Sequence, residues 1–577
     1  MQSTLQSPLE DPDILSLVLQ QSNLTFDYDT LSKQPHRDSL RLLHSTATKL
    51  IDGFCTSYRD GRRSGEAILR IDPADVADRA AAAIGKLGPL RRVQLEGLDD
   101  DSLATVLAAV ATGSGSRHRG LEVLWLQRGV FSGACLYTCH PKLAGYHIVG
   151  DGDELVPCLP VSPISVTCSP PSPRTGRLLP RLLELDLGGC GQLTDAGLEA
   201  LTASAPLLAR LRITVNALLR KPRLTCPWLR SATLAICANL QDEAVSTLCK
   251  SSPMLRELNL WRCSSLKAPA FRLPYLETLN LCECADLTDA ATTSVASCTQ
   301  VTSLMLAGCD GLAGTHRWGG GKALTTLDVS DMSATNDAQI TAACADSPEL
   351  RRLDFSRSGP GVQAPTVGGQ KLQTIIATRC EHLVDDAVTG ACDASPNLQT
   401  LMLALCTSLH SPRIHGERLA ELNLSGCFAL QDAAVTFVCE NSPMLSRLSL
   451  SLCAALSAPS ICGPNLRRLE MSHGEALSKP KIGGPSLSEL SLSGCNNLED
   501  EALESLCDNA PMLRKLSISG CAKLKAARFS SLSLQVLQCQ GVARELVDFA
   551  ADRLQCPALH KIVCEVYVQA DGFEEVD

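Results

Sequence analysis

Aromatic residues are scarce: Phe, Tyr and Trp together make up 3% of the 577 residues. A single globular core of that size would draw on many more, and chains beyond about 300 residues divide or elongate instead. No stretch is long and apolar enough for a bilayer-spanning helix. Residues 1–20 lack the basic start and apolar run of a secretory leader, so residence in the cytoplasm and/or nucleus is expected. Long basic runs are missing too. With a net charge of −10, nucleic acid and anionic membranes are poor partners. The sequence has no His-Glu-x-x-His, no Gly-x-Ser-x-Gly and no phosphate-cradling loop opening a helix. Gly319-Gly320-Gly321-Lys322 has no following Ser or Thr and reads as a turn. Neither an enzyme nor a cofactor is expected.

What is present is a repeat. Residues 255–263 read LRELNLWRC, and the frame returns as LLELDLGGC to Cys190, LETLNLCEC to Cys284, LAELNLSGC to Cys427, LSRLSLSLC to Cys453 and LSELSLSGC to Cys495. The pattern L-x-x-L-x-L-x-x-C is the strand signature of a leucine-rich repeat. Alternation sends the leucines to one face of a short strand and the polar residues to the other. Central strand residues fall at Leu185, Leu211, Ala232, Leu258, Leu279, Leu304, Leu327, Leu353, Ile375, Leu401, Leu422, Leu448, Leu469, Leu490, Leu516, Leu537 and Ile562. Steps of 25–26 residues alternate with steps of 21–23, except at Leu448, Leu469 and Leu490, where two short steps adjoin. The fold expected is an α/β solenoid, a leucine-rich-repeat horseshoe with a parallel concave sheet and a convex side alternating helices with extended segments.

The 28 cysteines follow this period. Eleven (Cys190, Cys237, Cys263, Cys284, Cys309, Cys380, Cys406, Cys427, Cys453, Cys495, Cys521) stand five residues after a strand centre, and five (Cys249, Cys344, Cys392, Cys439, Cys507) stand seventeen after it. Periodic placement between layers suits reduced core thiols better than disulfides or metal ligands. Cys135, Cys139, His140, Cys158 and Cys168 match no zinc-finger spacing.

Long units carry Asp195, Asp242, Asp289, Asp337, Asp385, Asp432 or Asp500 ten residues after the strand centre, ahead of an Ala/Val/Leu-rich run. An aspartate there is expected to cap the helix and favour its dipole. Most runs end in Ser/Ala-Pro-x-Leu, where proline stops the helix. Short units have no room for a helix. They carry Lys267-Ala-Pro269, Ser457-Ala-Pro459 or Ser478-Lys-Pro480 and should run extended.

Residues beside the leucines should line the concave face: Asn259, Trp261, Asn280, Met305, Asp328, Asp354, Ile376 and Met402, then Ser449, Ser451, Ser491, Ser493, Ser517 and Ser519. Trp261, Met305, Ile376 and Met402 are apolar where strand alternation places solvent. That makes the first eight residues the candidate partner-binding set.

The frame sets the boundaries. Residues 1–66 form a helical N-terminal region. Residues 67–129 hold the first units, around Ile68–Ile71, Val93 and Leu124. A Pro/Gly-rich flexible insertion spans 130–178, whose composition also fits retained intron sequence. The regular solenoid covers 179–565, and 566–577 is an acidic tail.

Leu9-Glu-Asp-Pro12-Asp-Ile14-Leu15-Ser-Leu-Val18-Leu19, with a second helix from Ser39 to Asp52, resembles a degenerate F-box. His44 stands where that motif often has Cys. The cysteine-type frame, the Leu-Thr-Asp helix starts and the alternating Ala-Pro units resemble plant and algal F-box/leucine-rich-repeat proteins over about residues 180–565. The resemblance implies a substrate-recognition subunit of a Skp1–cullin–F-box ubiquitin ligase. Leu9, Pro12, Ile14, Leu15, Val18 and Leu19 would contact Skp1, and a protein substrate would sit on the concave face. The alternative is an interaction scaffold with no ligase link, in which residues 1–66 only cap the first coil.

Overall fold

Every one of the seventeen central residues of the regular region is the middle of a strand or of its first half in the computed structural model. The described residues are 92–96, 123–127 and 181–563, less 313–317, 319–320, 505, 526, 528–530, 544–545, 547, 549–555 and 557. The Skp1-contact candidates Leu9 to Leu19, the helix at 39–52, the first strand at 68–71, the insertion and the acidic tail lie outside them.

The chain divides into two units, Met1–Leu276 and Glu277–Asp577. In the first, strands β1 (Arg92–Glu96), β2 (Val123–Gln127), β3 (Glu184–Gly188), β4 (Arg210–Thr214), β5 (Ser231–Ala235) and β6 (Glu257–Asn259) pair in parallel, each with the next. Centre stands against centre: Leu124↔Leu185, Leu185↔Leu211, Leu211↔Ala232 and Ala232↔Leu258. The 130–178 insertion thus separates two strands that pair directly, and Cys190 donates its S–H to the Leu126 carbonyl across that step at 3.1 Å. Helices α1 (Asp195–Ser204) and α2 (Asp242–Ser251) fill the long units.

The second unit repeats the plan. Strands β7 (Thr278–Asn280), β8 (Ser303–Met305), β9 (Thr326–Asp328), β10 (Arg352–Asp354), β11 (Thr374–Ile376), β12 (Thr400–Met402), β13 (Glu421–Asn423) and β14 (Arg447–Ser449) pair in order. The sheet continues through β16 (Arg468–Glu470), β18 (Glu489–Ser491), β19 (Lys515–Ser517), β20 (Val536–Gln538) and β21 (Lys561–Val563). Helices α3 (Asp289–Val295), α4 (Asp337–Asp346), α5 (Asp385–Ala394), α6 (Asp432–Asn441), α7 (Asp500–Glu504) and α8 (Leu506–Asn509) lie in the long steps. Where two short steps adjoin, both outer segments are extended and bond to each other: β15 (Ser460–Cys462) pairs in parallel with β17 (Lys481–Gly483). The extended outer segments read from proline are therefore present, and at this slip they form a small second sheet.

The core is the stack of strand centres. All are at most 2% exposed except Ile562 in the last described strand, at 37%. Burying each leucine contributes about 1.5–3 kcal/mol, and only adjacent coils provide that cover. The periodic thiols join the layers. Cys263, Cys309, Cys406, Cys453, Cys495 and Cys521 each donate to a carbonyl of the preceding coil at 2.9–3.2 Å. The cysteines whose side chains are described form no disulfides, and all but Cys282 and Cys462 are buried. Burial pushes the Cys226 and Cys237 thiols up to about 12, so they are uncharged and unreactive.

The aspartates differ from expectation. Each is the first helical residue, and the preceding residue holds the cap position: Thr194 and Asn336 accept from the Gly197 and Gln339 N–H groups. Six of the seven carboxylates reach outward to the next, helix-free coil. Asp195 accepts from the Arg220 and Lys221 N–H groups, both at 2.9 Å, and Asp242 from Lys267 and Ala268, also at 2.9 Å. Asp337 takes Gln363 and Ala364, Asp385 takes His410 and Ser411, and Asp432 takes Ser457 and Ala458. Asp500 takes Lys525. The short coil has no helix to satisfy its outer N–H groups, and a forked acceptor on the neighbour does so. Helix-bearing and helix-free coils alternate because one supplies acceptors that the other needs.

A second regularity lies four residues after the strand centre, where the chain leaves the sheet. In the first unit Gly189, Val215, Ile236 and Arg262 have φ between 57° and 74°. In the second unit Gly308, Gly426, Gly494, Gly520 and Gly541 share this left-handed conformation with Glu283, Asp331, Arg357, Arg379, Leu405, Leu452 and His473. The turn is thus imposed by the coil and only sometimes met by glycine.

Candidate concave-face site

Each central leucine points into the core, so the residue after it faces the opposite side of the sheet. Asn259 and Trp261 lie on the concave face of the first unit, and both are half-buried. Asn259 Oδ1 accepts from the Trp261 N–H at 3.0 Å, and the Arg262 guanidinium lies 5.4 Å from the Trp261 ring centroid. The Trp261 backbone is thus tied to Asn259, and the guanidinium lies over the indole.

The other six candidates fall in the second unit. Register pairing sets Met305, Asp328, Asp354, Ile376 and Met402 side by side on consecutive strands. Asn280 pairs with Met305 at one end and Asn423 with Met402 at the other. All six candidates are half-buried rather than exposed, because neighbours about 4.8 Å away on each side shade them. Here structure and sequence part: alternation predicts open solvent for the four apolar residues, and lateral packing removes much of it.

The polar members of this row have a local task. Asn280, Asp328, Asp354 and Asn423 each accept from the N–H two residues on, at 2.9–3.1 Å. Asp328 and Asp354 also take the Ser330 and Ser356 hydroxyls at 2.7 Å. These bonds close the end of each strand. Burial raises the Asp354 carboxyl above its ordinary range; the Ser356 bonds work against this, and the facing Asp328 charge adds to it. Further along, serines stitch the face across coils: Ser472 to Ser491 at 2.8 Å and Ser493 to Ser517 at 2.6 Å.

Two cavities beside this face were not legible from the frame. One of about 310 Å³ is lined by Met402, Glu421, Asn423, Arg447, Ser449, Arg468 and Glu470. The other, about 510 Å³, is lined by Met444, Ser446, Asn465, Arg467 and Ser488 and shares Arg447 and Arg468. Arg468 pairs with Glu470 at 2.7 Å and Glu489 at 3.7 Å, and Arg447 with Glu421 at 3.7 Å. Opposite charges on neighbouring strands thus partly neutralise one another. Among the described residues, no group of three or more His, Cys, Asp or Glu side chains is arranged to hold a metal. Nor is any described helix long and apolar enough to cross a membrane.

No family model and no curated protein sequence matches the chain. Among solved structures it is similar to the yeast Rad7–Elc1 complex, at 14% identity over 78% of this chain and 84% of that chain, with a TM-score of 0.31. A leucine-rich-repeat protein of Leptospira interrogans matches at 16% identity over 75% and 91%, TM-score 0.39. The functional domain of InlJ from Listeria monocytogenes, which includes a cysteine ladder, matches at 15% identity over 58% and 72%, TM-score 0.34. At these TM-scores the fold assignment rests on the strand register and buried core described above. They define a leucine-rich-repeat protein, with parallel coils and alternating helical and extended outer segments.

Proposed function

We propose that this chain is a non-catalytic substrate-recognition subunit of a Skp1–cullin–F-box ubiquitin ligase, acting in the cytoplasm or nucleus. The concave face captures a protein, and Leu9, Pro12, Ile14, Leu15, Val18 and Leu19 dock on Skp1. The observation that carries the capture half is the aligned row Met305, Asp328, Asp354, Ile376 and Met402, where apolar side chains stand among fixed polar ones. Such a mixture, already ordered, suits protein recognition. The ligase half is supported by the resemblance of residues 9–52 to an F-box.

Co-purification with Skp1 tests it. Wild type is expected to retain Skp1, and Leu15→Asp with Val18→Asp to lose it. A full-length chain that never recruits Skp1 leaves the scaffold reading, with capture intact and no ligase. The concave face has its own test: Ile376→Ala with Met402→Ala should weaken partner binding by about 2 kcal/mol, as anchor truncations do. Unchanged affinity would move capture elsewhere.

A further inference from the structure

In the second unit the edge where the chain enters the sheet turns basic from β14 onward. The five residues ahead of the centres of β14, β16, β18 and β19 read PMLSR, PNLRR, PSLSE and PMLRK. They hold Arg447, Arg467, Arg468, Arg514 and Lys515 against one acid, Glu489, on a chain of net charge −10. All five basic residues are exposed. Register sets Arg447, Arg468, Glu489 and Lys515 side by side. Two of the five have carboxylate neighbours. Arg468 is held by Glu470 at 2.7 Å and reaches Glu489 at 3.7 Å, and Arg447 meets Glu421 at 3.7 Å. Arg467, Arg514 and Lys515 make no ion pair among the described residues. Positive charge is therefore left over on this edge.

The cavity of about 510 Å³ opens here, lined by Arg447, Arg467, Arg468, Glu489 and Met444 among others. Its serines are occupied: the Ser446 and Ser488 hydroxyls donate to the Ala420 and Arg467 carbonyls at 2.9 and 3.0 Å. The charged donors left for a guest are the guanidinium groups, which suit carboxylates. The backbone offers nothing further. The Ser446, Arg467 and Ser488 carbonyls each accept two N–H groups from the next coil, so recognition must run through side chains. Met444 and Met512, 54% and 47% exposed, stand three residues before Arg447 and Lys515 and add apolar contacts beside the charges. Single-stranded nucleic acid would need aromatic rings on which to stack its bases, and the four segments contain none. This cavity and the one beside Met402 share Arg447 and Arg468, so the edge continues from the candidate concave face.

We propose that this edge binds an acidic segment of a partner protein, its carboxylates on Arg447, Arg467 and Arg514 and its apolar side chains on Met444 and Met512. The proposal rests on the protein-capture reading and deepens it by naming the class of segment captured. From the strand after Arg447 to the strand after Arg514 is three steps of about 4.8 Å, a span that about four or five extended residues cover.

The test uses the full chain and a fluorescent peptide of Glu and Leu residues, read by anisotropy. Binding is expected, weakened about tenfold or more by Arg467→Glu with Arg514→Glu at unchanged thermal midpoint. Arg467→Lys with Arg514→Lys should restore most of it, added salt should weaken it, and a Gln/Leu peptide should not bind. Arg351→Glu is the control: Arg351 holds the same place in the frame between Thr325 and Gln373, and its loss should change little. Binding that emerges only when Asp571, Glu574, Glu575 and Asp577 are replaced by their amides supports the same chemistry, with the chain's own acidic residues as competitor. No binding to either form overturns the proposal, as does an equal loss in Arg351→Glu. Tighter binding of single-stranded RNA gives the edge to nucleic acid and also overturns it. Ile376→Ala with Met402→Ala should leave the peptide bound, so failure of this edge is read apart from failure of the concave face.

Discussion

Asp385 offers a clean measure of what one coil does for the next. Its carboxylate accepts from the His410 N–H at 2.9 Å and the Ser411 N–H at 2.8 Å, both on the following helix-free coil. Charge-assisted bonds contribute about 1.5–3 kcal/mol each when buried. These are exposed, and water replaces part of what is lost, so about 1 kcal/mol each is a fair discount. Asp385→Ala should then weaken the local structure by about 2 kcal/mol, roughly a 30-fold change in an opening equilibrium. Asp386 is the control. It is the second residue of the same helix and feels the same dipole, worth about 0.3–1 kcal/mol, but makes no bond to the next coil. A repeat array need not unfold in one step, so the assay is native-state hydrogen exchange on the peptide spanning 408–416. About 30-fold faster exchange at residues 410 and 411 is expected in Asp385→Ala and little change in Asp386→Ala. Equal effects of the two substitutions, or acceleration confined to helix α5, would refute the inter-coil clamp and return the aspartate to ordinary helix stabilisation.

Other perturbations follow from the same architecture. Val215 is 53% exposed with φ 60°, so Val215→Gly should raise stability by about 1 kcal/mol in urea unfolding, because left-handed backbone disfavours a branched side chain. Destabilisation would mean that its packing outweighs the strain. The buried Ser252 hydroxyl donates to the Cys226 carbonyl at 2.9 Å, whereas the equivalent Ser395 and Ser442 hydroxyls have no partner. Ser252→Ala should therefore cost about 1 kcal/mol, and Ser395→Ala should be neutral or stabilising in thermal melts. Asp354→Asn keeps an acceptor for the Ser356 N–H and removes a charge that burial and Asp328 disfavour. A raised carboxyl pKa makes the folded state bind more protons, so wild-type stability falls as pH rises from the ordinary aspartate value through the folded one. The stabilisation by Asn should thus appear at pH 7 and vanish at pH 3.5. A pH-independent difference would sink this account.

The central leucines were legible because burial acts on every coil alike and leaves a period in the chain. The paired helix and extended segments were legible too, from Asp and Ala-Pro at fixed offsets. The partner of the aspartate was not, since its donors are backbone N–H groups 25–27 residues away that almost any residue supplies. The left-handed turn was half visible, as the Gly before Cys190, Cys309, Cys427, Cys495 and Cys521. Elsewhere Val215, Ile236 or Leu405 hides it. Neighbouring coils share this position: a Cβ on Gly426 would strike Leu405, and one on Gly494 would strike His473. For the candidate site, alternation found the face of the sheet but not the shading of one side chain by the next. It also missed the exposed residue of Pro-x-Leu, such as Trp228, which reads in sequence as an ordinary hydrophobe before a buried one.

The slip at Leu448, Leu469 and Leu490 bears on how the chain changes length. There the Ser478 N–H bonds the Ser457 carbonyl and the Glu499 N–H bonds the Ser478 carbonyl. A helix-free coil therefore accepts either kind of neighbour on its far side. Excising residues 469–489 would leave Asp432 its donors and restore strict alternation. Copying them would extend the array by a single 21-residue step. Gain or loss of material is tolerated at this seam in odd increments, while everywhere else the coupling of carboxylate to bare backbone obliges coils to come and go in pairs.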